Sequence, residues 1–230
     1  MTLNKIILIA IVLPCLSFQK GNRPKSTLLL NDPLEILNDN VKQLIETGLY
    51  TRGTPFMIRF SDTTSFDKKG NEVEIHSGWG DGKLYKSKCS FKYNNGIKEV
   101  ALLRINNASK AIYKYDKTGN IIESSDCSQS GICKRKLYHY DISGQVSQVE
   151  IYNNSNTLLS KILYKYNDNG FLLEEDYPYL DKEGNGFKII YRYKLFDEKN
   201  NWMMKIRDMK RFNDTLTLQT DTITRKITYY

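Results

Sequence analysis

Tyr113-Lys114-Tyr115-Asp116-Lys117-Thr118-Gly119-Asn120 and, twenty-five residues on, Tyr138-His139-Tyr140-Asp141-Ile142-Ser143-Gly144-Gln145 decide how this chain folds. Aromatic, polar, aromatic is strand alternation, with both rings on one face and the intervening side chain on the other. Asp116 or Asp141 then starts a turn, and a glycine four residues after the second ring supplies the positive φ of a tight hairpin. A second strand runs back, as in Asn120-Ile121-Ile122 or Gln145 to Ile151. Each copy therefore predicts one β-hairpin.

The pattern recurs in both directions. Tyr164-Lys165-Tyr166-Asn167-Asp168-Asn169-Gly170 follows, then Tyr191-Arg192-Tyr193, whose turn is carried by Asp197-Glu198-Lys199-Asn200-Asn201 without a glycine. Upstream, Phe91-Lys92-Tyr93-Asn94-Asn95-Gly96 is a shortened copy and Phe66-Asp67-Lys68-Lys69-Gly70-Asn71 a degenerate one. Measured at residues 66, 93, 115, 140, 166 and 193, the intervals are 27, 22, 25, 26 and 27 residues. A period in this range marks a repeat architecture, in which no single hairpin buries its face alone. The turn glycines are Gly70, Gly96, Gly119, Gly144 and Gly170. Ala111, Ile162, Ile189 and Phe187 extend the ring-bearing face of their copies, and Thr222 to Tyr230 alternates again and closes the sheet. The fold expected is mainly all-β, an antiparallel sheet of about six hairpin repeats over residues 55–230.

Tyr-x-Tyr-Asp-x-x-Gly-Asn followed by an apolar strand resembles the YD repeats of the RHS (rearrangement hot spot) family, over about residues 62 to 200. Large members wind such hairpins into a spiral shell around a toxin domain. About six copies are too few for such a shell. What the resemblance implies here is an exported β-hairpin repeat protein.

The N-terminal part reads differently. Met1 to Lys5 carries one positive charge, Ile6 to Leu13 is an unbroken apolar run, and Cys15 and Ser17 stand at −3 and −1 of a cleavage site. That describes a secretory signal peptide over residues 1–17, too short in its apolar part to span a bilayer. Lipidation of Cys15 is the alternative, resembling a bacterial lipoprotein signal with Pro14 in place of the usual small residue. Residues 18–31 read as a linker. Asp32-Pro33-Leu34-Glu35 looks like a helix start, with Asp32 as N-cap and Glu35 closing a capping box. Leu34, Leu37, Val41, Leu44 and Ile45 then recur at helical spacing and Gly48 supplies a stop, so an amphipathic helix over residues 32–48, capping the open sheet, is expected.

Of 230 residues, 34 are Lys or Arg and 26 Asp or Glu, a net +8 that becomes +7 once Lys5 leaves with the leader. Such a balance does not mark a nucleic-acid binder. Cys127 and Cys133 suit a disulfide in an oxidising compartment, stabilising by roughly 2 kcal/mol through loop entropy. A metal site with His139 lacks a fourth ligand and the usual spacing. Cys89 falls on the face of Phe91 and Tyr93 and reads as a buried small hydrophobe. Asp181 to Gly186 has Arg192 where a calcium loop needs glutamate, and the glycine-rich Ser77 to Lys83 lacks phosphate-loop spacing. No cofactor and no metal are expected, and no catalytic residue is assigned.

Candidate binding residues are Trp79, read as lying on an exposed loop, and the basic set Lys205, Arg207, Lys210 and Arg211. The expected role is a non-catalytic binding or structural one in the periplasm or at the cell surface of a Gram-negative bacterium. An envelope protein or an anionic polysaccharide is the expected partner, with membrane association only through a lipidated Cys15. The rivals are a glycan-binding protein or glycan-active enzyme using Glu174, Asp176 and Trp79, and a small outer-membrane barrel. The barrel requires strands of about 9–11 residues with a continuous lipid-facing apolar side.

Overall fold

A computed structural model describes residues 37, 39–51, 57–80, 85–94, 97–104, 108–128, 131, 133–178, 186–212 and 217–230. The leader, the linker and the Asp32–Glu35 stretch lie outside the described residues. The described residues form fourteen strands: β1 Val41–Thr51, β2 Met57–Phe66, β3 Glu72–Gly80, β4 Tyr85–Asn94, β5 Ile97–Arg104, β6 Ala108–Tyr115 and β7 Ile121–Cys127, then β8 Cys133–Tyr140, β9 Val146–Tyr152, β10 Leu158–Tyr166, β11 Leu172–Tyr177, β12 Phe187–Phe196, β13 Trp202–Arg211 and β14 Thr217–Tyr229. Consecutive strands pair antiparallel, and β14 pairs β1, so the sheet is a closed barrel. Closure corrects the expectation of an open, capped sheet. Thr222–Tyr230 does close it, as its alternation indicates, with β1 as the partner.

The turns repeat one design. In the β6–β7 turn the Asp116 N–H donates to the Asn120 carbonyl, Gly119 N–H donates to the Asp116 carbonyl, and Asp116 Oδ1 accepts the N–H groups of Thr118 and Asn120. The turns begun by Asp67, Asp141, Asn153, Asn167 and Asp197 carry the same backbone bonds. Gly70, Gly119, Gly144 and Gly170 hold φ between 78° and 89°, while Asn156 and Asn200 adopt the left-handed region in their own turns. Gly96 lies outside the described residues. This is a type I turn followed by a left-handed residue and a bulge. The bulge shows in the register: Lys114 pairs Glu123 but Tyr115 pairs Ile121, with matching shifts at Phe66, Tyr140 and Tyr166.

The bulge sets which side chains face inward. Directly paired residues share a face, and in each returning strand the buried positions fall three apart: Glu72 and Ile75, Ile121 and Ser124, Val146 and Val149, Leu172 and Glu175, Trp202 and Lys205. Val41 and Leu44 show the same spacing. Here lies the correction to the N-terminal helix: residues 41–48 are strand β1, and the helix-like spacing is a strand carrying a bulge between Val41 and Gln43.

Pairing between neighbouring hairpins stops short of the rim that carries the Asp/Asn-Gly turns, ending at Glu74–Ser90, Glu123–Leu137, Gln148–Leu163 and Glu174–Ile190. Hairpins therefore splay there, and tyrosines bridge the gaps. The Tyr140 hydroxyl donates to the Ile121 carbonyl (2.8 Å) and the Tyr193 hydroxyl to that of Leu172 (2.9 Å). Burial pushes the Tyr113, Tyr115, Tyr138, Tyr140 and Tyr164 hydroxyls above the ordinary tyrosine range. This ring of aromatics and the aliphatic residues beneath it form the core.

Candidate binding sites on the barrel

Inside the wall made by β11 to β14 and β1, the strands gather a charged and aromatic network. Arg225 stacks over Trp202, 3.4 Å from the ring centroid, and its Nε donates to Glu46 Oε1 at 2.9 Å. Lys205, fully buried, lies 4.4 Å from the Trp202 ring and 4.9 Å from Tyr191. The Tyr177 and Tyr191 hydroxyls both donate to Glu175 at 2.6 Å. Arg207 holds Asp221 through Nε and Nη2, and Gln219 donates to the same carboxylate. Each buried charge has an opposite charge, a phenol or an aromatic face beside it, as burial demands. The network is internal bracing.

It also corrects the basic patch. The bulge after Trp202 places Lys205, Arg207 and Arg211 in the inward register and Lys210 in the outward one. The four cations therefore form no common outer surface. Trp79 is corrected as well, since it belongs to strand β3 and pairs Phe60 of β2. Local charge gives no sign of which way a side chain faces, and the glycines around Trp79 read as a turn although Gly78 and Gly80 lie in the strand.

The outward face is a set of ion-pair ladders. Lys114 pairs Glu123 (2.8 Å), Arg192 pairs Asp208 (2.7 Å), and Lys165 pairs Glu174. Lys188 reaches Glu174 and Asp176 at 3.4 and 3.7 Å. Glu174 and Asp176 thus share the outward face, bridged by lysines, while Glu175 is turned inward and buried. Trp79 lies on a distant part of the ring, so the structure does not bring the glycanase trio together. Among the described residues no group of three or more His, Cys, Asp or Glu could hold a metal. Cys127 and Cys133 are bridged across the β7–β8 pair, and Cys89 is buried.

A cleft opens at the turn rim between β11 and β12. It measures about 440 Å³ and is lined by Asn167, Asn169, Phe171, Tyr193, Phe196 and Asn200, among others. At the β5–β6, β7–β8 and β9–β10 junctions the later hairpin runs four residues from its last cross-hairpin pair to its turn, as from Leu137 to Asp141; here Ile190 to Asp197 is seven. The β12–β13 hairpin therefore projects beyond its neighbours, and the residue preceding its turn is Phe196 rather than Tyr193. Sequence reasoning missed this cleft. The signal was the departure of Tyr191-Arg192-Tyr193-Lys194-Leu195-Phe196 from the repeat spacing.

No protein-family model matches the chain. No curated protein matches it either. Among solved structures, a porin-like protein from Bacteroides uniformis matches with a TM-score of 0.58 at 8% identity, over 84% of this chain and 98% of that one. The likeness is one of fold. It agrees with the closed ring of antiparallel strands.

Proposed function

We propose that this chain is an exported envelope protein whose barrel stands in water and serves a non-catalytic binding or structural role. The observation that carries this reading is the outward ladder of Lys114–Glu123, Lys165–Glu174, Lys188–Asp176 and Arg192–Asp208, which extends from beside the Asp/Asn-Gly turns into the strand interior. A Lys or Arg on the lipid face of a barrel costs about 2–4 kcal/mol at the bilayer midplane. Outward rungs along the strands, with Arg192–Asp208 well inside β12 and β13, suit an aqueous surface. The leader-like residues 1–17 and the Cys127–Cys133 bridge support an oxidising compartment outside the cytoplasm. Periplasm and cell surface both fit.

The second reading, an outer-membrane barrel, is favoured by the likeness to the porin-like protein. Expression of residues 18–230 without detergent separates the two. The water-exposed reading expects a monodisperse protein with cooperative unfolding. Material recovered only in detergent, with strands that fold only in micelles, would replace it with the membrane reading.

A further inference from the structure

We infer that the cleft between β11 and β12 is a binding site for a neutral saccharide. It deepens the binding role proposed above. Three observations converge on it. First, the β12–β13 hairpin departs from the repeat by projecting beyond its neighbours, and Leu195 and Phe196 of the projection are 54% and 43% exposed. Second, in the other described turns of this rim that share the bond set, the position directly after the left-handed residue is Asn71, Asn120, Gln145 and Asn201, but Phe171 here. Local rules are broken where function demands it. Phe171 packs at a tilt against Tyr193 (5.1 Å) and Phe196 (5.2 Å), and all three rings line the cleft.

Third, the projecting hairpin is fastened on its far side. The Tyr229 hydroxyl donates to Asp197, Asn201 Nδ2 donates to the Tyr229 hydroxyl at 2.8 Å, and Lys199 pairs Asp39 at 3.1 Å. The near side, toward β11, is the cleft. A wall held in place before binding saves the entropy of ordering it.

The chemistry selects the ligand class. Aromatic faces from Phe171, Tyr193 and Phe196 suit the C–H face of a pyranose, while the amides of Asn167, Asn169 and Asn200 suit a rim of hydroxyls. The one ionised lining residue, Arg192, is paired with Asp208. The volume lies within the range of about 300–1,000 Å³ usual for small-molecule sites, enough for one or two sugar rings.

The test uses the purified chain from residue 18 onward and three neutral trisaccharides, chitotriose, cellotriose and maltotriose, titrated by calorimetry and by side-chain amide NMR. At least one should bind and shift the Asn169 and Asn200 amides. Phe171→Asn, which restores the repeat residue, and Phe196→Ala should each weaken binding tenfold or more. Ile142→Ala, an exposed apolar residue on another turn, should leave it unchanged, and a cooperative melting transition above the titration temperature should show that all three variants fold. Failure of all three sugars to shift the cleft would overturn the assignment, as would binding indifferent to Phe171→Asn and Phe196→Ala. So would a cleft that takes up an extended peptide and no sugar. Solubility without detergent is read separately, so failure here leaves the aqueous-barrel reading standing.

Discussion

The β6–β7 hairpin and the β14–β1 seam are the same structure, one continuous and one divided between distant parts of the chain. In the hairpin, Tyr115 pairs Ile121, Lys114 pairs Glu123 and Tyr113 pairs Ser124. At the seam, Tyr229 pairs Val41, Thr228 pairs Gln43 and Ile227 pairs Leu44, with the bulge in the same place. Tyr230 N–H donates to the Asn40 carbonyl as Asp116 N–H does to Asn120. Asp39, at φ 68°, stands where Gly119 stands at 89°. Only the two residues at the tip of the turn have no counterpart. A barrel of hairpins closes without a special joint if its last hairpin is split, because the same pairing and burial hold both.

The largest effect should come from breaking the seam. Removing residues 226–230 strips β14 of its pairing with Val41 to Ile45 and should abolish cooperative unfolding, followed by near-UV dichroism, because three pairs, Glu46–Arg225 to Gly48–Ile223, then hold the seam alone. If the truncated chain still melts in one sharp transition, the seam contributes less than a hairpin does. Next are single cavities: Leu44→Ala at the seam and Leu172→Ala in an intact hairpin, each 1% exposed, should both cost about 2–5 kcal/mol in urea denaturation. Equal losses would establish the equivalence, and a much smaller loss for Leu44 would break it.

Smaller still are the turn residues. Gly119→Ala forces a β-carbon into the left-handed region and should cost about 1–2 kcal/mol. Asp39→Gly relieves that strain at the seam but gives up the bond from Asn40 N–H to the Asp39 carboxylate and the Lys199 ion pair, so it should change stability by less than about 1 kcal/mol. The smallest effect is acid sensitivity, which belongs to the continuous turns. Hydrogen bonds from Thr118 and Asn120 hold the Asp116 carboxyl down at about 2. A depressed carboxylate stabilises the fold above its unfolded value of about 3.9, and that contribution fades as pH falls toward 2. The melting temperature should therefore drop over that window, and Asp116→Asn should flatten the drop while keeping the turn, as Asn153 and Asn167 do in theirs. A profile unchanged by the substitution would mean that other carboxylates dominate. At the other extreme, the Tyr229 hydroxyl, pushed up to about 12 by burial and by Asp197, should make the seam loosen as pH rises above about 10, where the unfolded tyrosine ionises.

The turns were readable because their causes are local. Asp116, Gly119 and Asn120 satisfy one another within five residues, and that bond set recurs wherever the residues do. The buried cysteine, the disulfide and the inward rings followed from alternation and spacing in the same way. What misled was the bulge. It spaces Val41 and Leu44 as a helix would, and it turns Lys205 inward, of which a run of basic residues gives no sign. Asn40-Val41 does echo Asn120-Ile121, yet that echo acquires meaning only once Tyr229 is known to lie beside it.

By itself, then, the sequence determined the hairpins, since a turn needs only its own few residues to choose left-handed φ and close its bonds. Tertiary structure decided the ring and the cleft. Thr47 and Thr224 meet across 177 residues of chain, and no local propensity encodes a pairing whose benefit appears only when every hairpin between them is in place. The cleft exists because the β12–β13 hairpin runs three residues further past its last pair than the β10–β11 hairpin does, a difference that becomes a surface feature only where the two stand side by side.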